Sequence, residues 1–192
     1  MTATLPRATV LADGVVRLEP LSENHVPDLF EAGGGDDEVW RWLRPTPHTK
    51  EDLTTLARRL VDGPEYTPFA VVHDGRAIGW TSYVNVPGYA LSVEIGFTWY
   101  GRAYWRTAVN TACKILLIDH AFDAHDYNRV VLKTDHLNTR SQQAIARLGA
   151  VHEGTLRRHR VRPDGTWRDS VYFGILREEW PAHRARLVGG RR

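Results

Sequence analysis

Residues 138–157 read NTRSQQAIARLGAVHEGTLR: a cap, a helix, a stop and a strand in unbroken order. The Asn138 side chain can accept a hydrogen bond from the first-turn N–H groups that a helix start leaves unpaired. Ala144, Ile145 and Leu148 then fall on one helical face, and Gly149 ends the helix. Two strands follow, about 150–160 and 168–176, around a Pro163-Asp164-Gly165 turn. Just before the cap, RVVLKT (129–134) reads as a short buried strand.

Upstream, from about Ala108 to Ala124, Val109, Ala112, Cys113, Leu116, Leu117 and Ala121 share the face of a longer helix. Before it lie PFAVVHD (68–74), RAIGWTSYVNV (76–86) and ALSVEIGFTWY (90–100), joined by Asp74-Gly75 and Pro87-Gly88 as an antiparallel meander. VVRLEPL (15–21) alternates as a strand should, and Ser22 is expected to cap a helix to about Ala32, where GGGDDE breaks it. A second helix is expected from about Thr49, spaced for a capping box with Asp52, to Val61, with Gly63 and Pro64 ending it. The order β, α, α, β, β, β, α, β, α, β, β implies an α/β (α+β) fold. Its mixed, mainly antiparallel central sheet would carry helices on both faces.

At 192 residues the chain fits a single domain spanning 1–192. No run of about 18 apolar residues spans a membrane, and MTATLPRATVLADG lacks the apolar core of a signal peptide, so a cytoplasmic location is expected. Cys113, the only cysteine, reads as a small packed hydrophobe inside a helix. The nine histidines adopt no metal spacing, His120/His125 and His152/His159 included, so no metal is expected. A net charge of +2 does not argue for nucleic acid. LRRHRVR (156–162) and HRARLVGGRR (183–192) are local basic clusters, read as solvated surface or as docking sites for an anionic partner.

YWRTAVNT (104–111) runs directly into the long helix. A helix start presents free N–H groups and the positive end of the dipole, which suits an anion. Phosphate loops usually carry glycine, and this one has none.

The run VEIGFTWYGRAYWRTAVNTACKILLIDHAF, followed by RVVLKTDHLNTRSQQAIARLGAVHEGTLRRHRVRPDGTWRDSVYFGILREEW, resembles the GNAT superfamily of acyl-CoA-dependent N-acetyltransferases. It looks closest to the branch of ribosomal-protein N-terminal acetyltransferases, and the resemblance covers nearly the whole chain. It implies a splayed strand pair that holds the pantetheine arm of acetyl-CoA against a bulge in ALSVEIGFTW. Gly96 is the expected bulge residue, with a close-packing glycine as the alternative. Backbone groups of Phe97, Thr98 and Trp99 would contact the arm. The resemblance also places the CoA pyrophosphate on 104–111, where Trp105, Ala108 and Asn110 occupy the positions of the family's Gln/Arg, Gly and Gly/Ala. Thr107, Ala108, Val109, Asn110 and Thr111 all retain backbone N–H groups, and Arg102 and Arg106 could add charge-assisted bonds.

Glu94 precedes the bulge on the strand face opposite Leu91, Val93, Ile95 and Phe97. It is the candidate base for the acceptor amine, or else a solvated strand carboxylate. By resemblance Ser141 would donate a proton to the departing thiolate, its alternative being a helix-end hydroxyl, and Asn138 would bond the cofactor's amide arm as well as cap. The region of Trp40 and Trp42 would border the acceptor cleft. The implied activity is direct transfer of acetyl from acetyl-CoA to a primary amine, either a protein or peptide N-terminus or a small molecule, with no protein nucleophile. A catalytically silent acyl-CoA-binding or partner-binding module is the alternative, and nucleic-acid binding is a weaker third. The acceptor, the acyl-chain length and the oligomeric state, a homodimer included, stay open.

Overall fold

Period-two patterning in the strands and amphipathic crossovers between them build an eight-stranded sheet ordered β1-β2-β3-β4-β5-β6-β8-β7. The computed structural model describes residues 5–43, 45–85, 91–162 and 164–190. The strands are β1 (Leu11–Ala12), β2 (Arg17–Pro20), β3 (Tyr66–His73), β4 (Arg76–Asn85), β5 (Ser92–Tyr100), β6 (Arg129–Asp135), β7 (Val151–Val161) and β8 (Trp167–Leu176). Neighbours pair antiparallel except β5 and β6, which run parallel on either side of a helical crossover. The mixed, mainly antiparallel sheet with helices on both faces is therefore as expected.

The helices are α1 (Val26–Gly33), α2 (Asp37–Trp40), α3 (Lys50–Asp62), α4 (Val109–Asp119), α5 (Thr139–Arg147) and α6 (Trp180–Gly189). On one face, Phe69, Val71, Tyr83, Val93 and Ile95 pack with Ala112, Leu117, Ile118 and Ile145 of α4 and α5. On the other, Ala70, Ala77, Trp80 and Trp99 meet Leu29, Trp40, Leu53 and Leu60 of α1–α3. Burying one such leucine is worth about 2 kcal/mol, so each helix is held mainly by its apolar stripe. No helix among the described residues is long and apolar enough to cross a membrane.

Local signals locate several ends correctly. Asp52 N donates to Thr49 Oγ1 at 3.1 Å while Thr49 N donates to Asp52 Oδ2 at 3.0 Å, the reciprocal box at the start of α3. Ser141 N donates to Asn138 Oδ1 at 3.1 Å, and Gly149 takes φ +95° past α5. Elsewhere the structure differs. Ser22 opens a 3₁₀ turn, Glu23–His25, before α1 begins. The acidic end of GGGDDE also forms α2, because Asp36 caps it by accepting from Glu38 N and Val39 N. The long helix ends as α4 at Asp119 and continues as a π turn over His120–Ala124. Part of the C-terminal basic cluster lies in α6, where Trp180 Nε1 donates to Asp119 Oδ1 at 2.6 Å and Arg184 Nε to Asp119 Oδ2 at 2.8 Å. The expected Pro87-Gly88 turn, the strand ends at Val86 and Ala90, and Pro163, Arg191 and Arg192 lie outside the described residues.

Candidate active site

The parallel pair is short. Ser92, Val93 and Glu94 of β5 pair with Arg129, Val130 and Val131 of β6, and the strands then separate. From Ile95 to Tyr100 the β6-facing edge of β5 has no strand partner among the described residues, so backbone donors and acceptors line a wedge-shaped gap. A bulge accompanies the separation: Gly96 pairs with Ser82 and Trp99 with Trp80, leaving Phe97 and Thr98 both opposite Thr81. The bulge is therefore at Phe97 and Thr98 rather than at Gly96, and Phe97 takes the left-handed angle, φ +48°. Gly96 serves a spatial need instead. A Cβ there would stand 2.8 Å from Glu94 Oε1, so only glycine leaves the carboxylate its place.

Glu94 lies at the closed end of the gap, 6% exposed, with Oε2 at 2.7 Å from Lys133 Nζ. Lys133 is two residues along β6 from the partner of Glu94 and sits 5.9 Å above the Tyr172 ring. A buried charge needs such a partner. The solvated-carboxylate alternative is excluded by this burial. Of the residues expected to contact the arm, Phe97 is exposed with its ring 5.0 Å from that of Tyr66, whereas the Trp99 side chain is in the core and only its backbone can face the gap.

The start of α4 lies across the open end. Val109 N reaches Thr107 Oγ1 at 3.3 Å, and Ala112 N donates to Ala108 O. The N–H groups of Ala108, Asn110 and Thr111 find no acceptor among the described residues. Arg106, at φ +62°, is exposed beside them. Arg102 is differently placed from expectation: its guanidinium forks onto Asp36, at 2.5 and 2.7 Å, and so serves the α2 cap rather than standing free for a phosphate. Arg140 of α5, a residue the sequence reading missed, stacks 3.6 Å over the Trp105 ring. Desolvation there, and the charges of Arg106 and Arg102, lower the Arg140 pKa despite the attraction of Glu38, which places three cations in one neighbourhood.

Asn138 is buried as the cap of α5, at the end where β6 has left β5. Ser141 follows in the first turn, half-buried. Its N–H is satisfied by Asn138, while its hydroxyl makes no hydrogen bond among the described residues. The helix-end alternative thus falls to Asn138, and the Ser141 hydroxyl is left uncommitted. Trp40 needs a correction: it is 2% exposed, donates Nε1 to Gly33 O at 2.7 Å and packs 4.7 Å from Trp99, so it is core rather than acceptor cleft. Trp42 remains half-buried, with Arg41 over its ring. Among the described residues no group of three or more His, Cys, Asp or Glu could hold a metal ion. Burial pushes the Cys113 thiol up to about 12, which suits packing and not reaction.

The model of the acetyltransferase (GNAT) domain family matches residues 16–151, which include both strands of the gap, the start of α4 and all of α5. The chain belongs to the GNAT acetyltransferases. YdaF of Bacillus subtilis (strain 168), provisionally named a ribosomal N-acetyltransferase, is 28% identical over 114 residues, 59% of this chain and 61% of that one. A GCN5-related N-acetyltransferase from Brucella melitensis superposes with a TM-score of 0.91 at 26% identity, over 98% of this chain and 88% of that one. Mycobacterium smegmatis RimJ in complex with CoA-disulfide superposes with a TM-score of 0.80 at 26% identity, over 100% and 98%. GNAT acetyltransferases use acetyl-CoA, and this site suits it: the unpaired edge of β5 can bond an amide arm, and the free N–H groups beside Arg106 and Arg140 can hold a pyrophosphate.

Beneath the bulge of this GNAT site lies a residue the sequence hid. Lys114 of α4 is buried, donates Nζ to Thr98 Oγ1 at 2.9 Å and to Thr81 Oγ1 at 3.4 Å, and has no carboxylate partner among the described residues. Burial pushes its pKa down to about 8. The folded state therefore releases this proton near pH 8 and the unfolded state near 10.5, so burial costs stability in full below pH 8 and the cost fades toward pH 10.5. Lys114→Met is expected to raise unfolding stability at pH 7 by on the order of 3 kcal/mol, and by under about 1 kcal/mol at pH 10. The two threonine hydroxyls, 2.8 Å apart, still bond each other. Urea titrations at both pH values decide it, and a gain that does not change with pH would contradict this origin.

Proposed function

We propose that this protein is an N-acetyltransferase that moves acetyl from acetyl-CoA to a primary amine by direct transfer in the cytoplasm. The acceptor is a protein or peptide N-terminus or a small-molecule amine. The observation that carries this reading is the β5–β6 gap with a buried carboxylate at its closed end and free helix-start N–H groups at its open end. The similarity to RimJ, solved with CoA-disulfide, supports a CoA ligand.

In the reaction the amine lone pair attacks the thioester carbonyl, the C–N bond forms and the C–S bond breaks. Glu94 takes the amine proton through Oε1, directly or through one water, while Lys133 holds Oε2. The leaving sulfur takes its proton from Ser141 Oγ, which is replenished from water. Asn138 fixes the turn that carries Ser141 and bonds the amide arm. Trp42 borders the acceptor side.

Incubation with acetyl-CoA and a panel of primary amines tests the proposal by release of free thiol. Amine-dependent release is expected. CoA binding without release for any amine would favour a silent acyl-CoA-binding module instead.

A further inference from the structure

The face of the sheet that carries Glu94 continues beyond the gap across β6, β8 and β7. Val171, Phe173 and Ile175 of β8 turn into the α4 core, so Arg168, Ser170 and Tyr172 lie on the opposite face, with Glu94 and Lys133. The carboxylates there have partners. Glu94 holds Lys133, Glu153 holds Arg129, and Asp135 is forked by Arg162 Nε and Nη2, both at 2.8 Å.

Two cations are left over. Arg160 of β7 and Arg168 of β8 stand directly opposite each other, and neither side chain makes a hydrogen bond or ion pair among the described residues. Like charges directly opposite across a strand pair repel. Arg168 is half-buried, with Nε shut off from water and without an acceptor. The pair is close to the proposed chemistry: Glu94 and Asp135 act electrostatically on Arg168. On the same face His159 bonds Ser170 Oγ through Nδ1 at 2.9 Å, its pKa lowered by burial and by Arg160, Lys133 and Arg168.

We propose that Arg168, assisted by Arg160, binds an anionic group of the acceptor, so that the preferred substrate is an amine carrying a carboxylate or phosphate a few bonds away. This rests on the assignment of Glu94 to the acceptor amine. An anion between the two guanidiniums relieves their repulsion by accepting from the outer nitrogens, since Arg168 is only half-buried. It would also orient the amine toward Glu94, which shares the sheet face.

Peptides of one sequence whose second residue is Asp, phosphoserine, Asn or Lys test this with acetyl-CoA. For the parent protein, kcat/KM for the acidic peptides should exceed that for the Asn peptide by about tenfold or more, mostly through KM. The better of the two acidic peptides identifies the anion. In Arg168→Gln the ratio of acidic to Asn peptide should fall close to one, and Arg168→Lys should recover part of it, with melting curves confirming folded protein. Equal use of acidic and neutral peptides by the parent, or a preference that survives Arg168→Gln, overturns the inference while leaving acetyl transfer standing. If no peptide releases thiol, transfer to peptide N-termini fails while transfer to a small-molecule amine stands. Calorimetry of the same peptides on the CoA-saturated protein then decides: about tenfold tighter binding of acidic peptides that Arg168→Gln abolishes supports the anion site, and equal binding overturns it.

Discussion

Glu94→Gln lowers amine-dependent turnover by about a hundredfold while CoA affinity changes far less. Gln keeps the shape and can still accept from Lys133 through its carbonyl oxygen, so the packing at the closed end of the gap survives. What it loses is the group that receives the amine proton. In the parent the rate rises with pH as the acceptor amine loses its proton. The variant follows the same rise at a lower rate throughout. Steady-state rates across pH for both proteins, with CoA affinity measured separately, check this. A variant that matches the parent at every pH would assign the proton to bulk water or to another group, and Glu94 would then be only the buried partner of Lys133.

The second large effect is at the leaving group. Ser141→Ala slows acetyl transfer by about tenfold to a thousandfold, the range expected when a positioned proton donor is lost. The melting temperature should hardly move, because the Ser141 hydroxyl makes no hydrogen bond among the described residues and the first turn of α5 is capped by the Asn138 side chain. Asn138→Ala is the contrasting variant, since loss of that cap costs about 1 kcal/mol. Melting and turnover on one preparation separate the roles. Lost stability with unchanged turnover per folded molecule would remove Ser141 from the chemistry.

Caps and helix stops are short-range events, and the sequence showed them: Thr49 with Asp52, Asn138 with Ser141 N, and Gly149 all lie within a few residues of their partners. The placement of Glu94 was also legible, because strand alternation sets it opposite Val93 and Ile95. Its partner was not. Lys133 meets Glu94 only through the parallel register of β5 and β6, which no local pattern records. The bulge was misassigned for a similar reason. Glycine permits unusual backbone angles, but Gly96 is small to make room for Glu94 Oε1, while Phe97 adopts the left-handed angle one residue later.

Arg102 and Trp40 were likewise diverted by distant partners, Asp36 and the Trp80–Trp99 pair. Lys114 was hidden inside an apolar helical stripe, where its only signal is a lysine between Cys113 and Ile115. In α6 the arginines masked a helix whose Trp180-Pro181 start was a readable cue. The Arg160–Arg168 pair could not be read at all, because the irregular register between Leu156 and Arg160 decides which residues of β7 face β8.

The most direct measurement uses acetyl-CoA carrying an isotopically labelled acetyl group, with mass spectrometry of the acceptor after incubation with the parent protein and with Glu94→Gln. The account predicts one labelled acetyl on the acceptor's primary amine, formed with equimolar CoA, absent when that amine is blocked and strongly reduced in the variant. CoA released without label on the acceptor, or label that appears equally fast with Glu94→Gln, would contradict it.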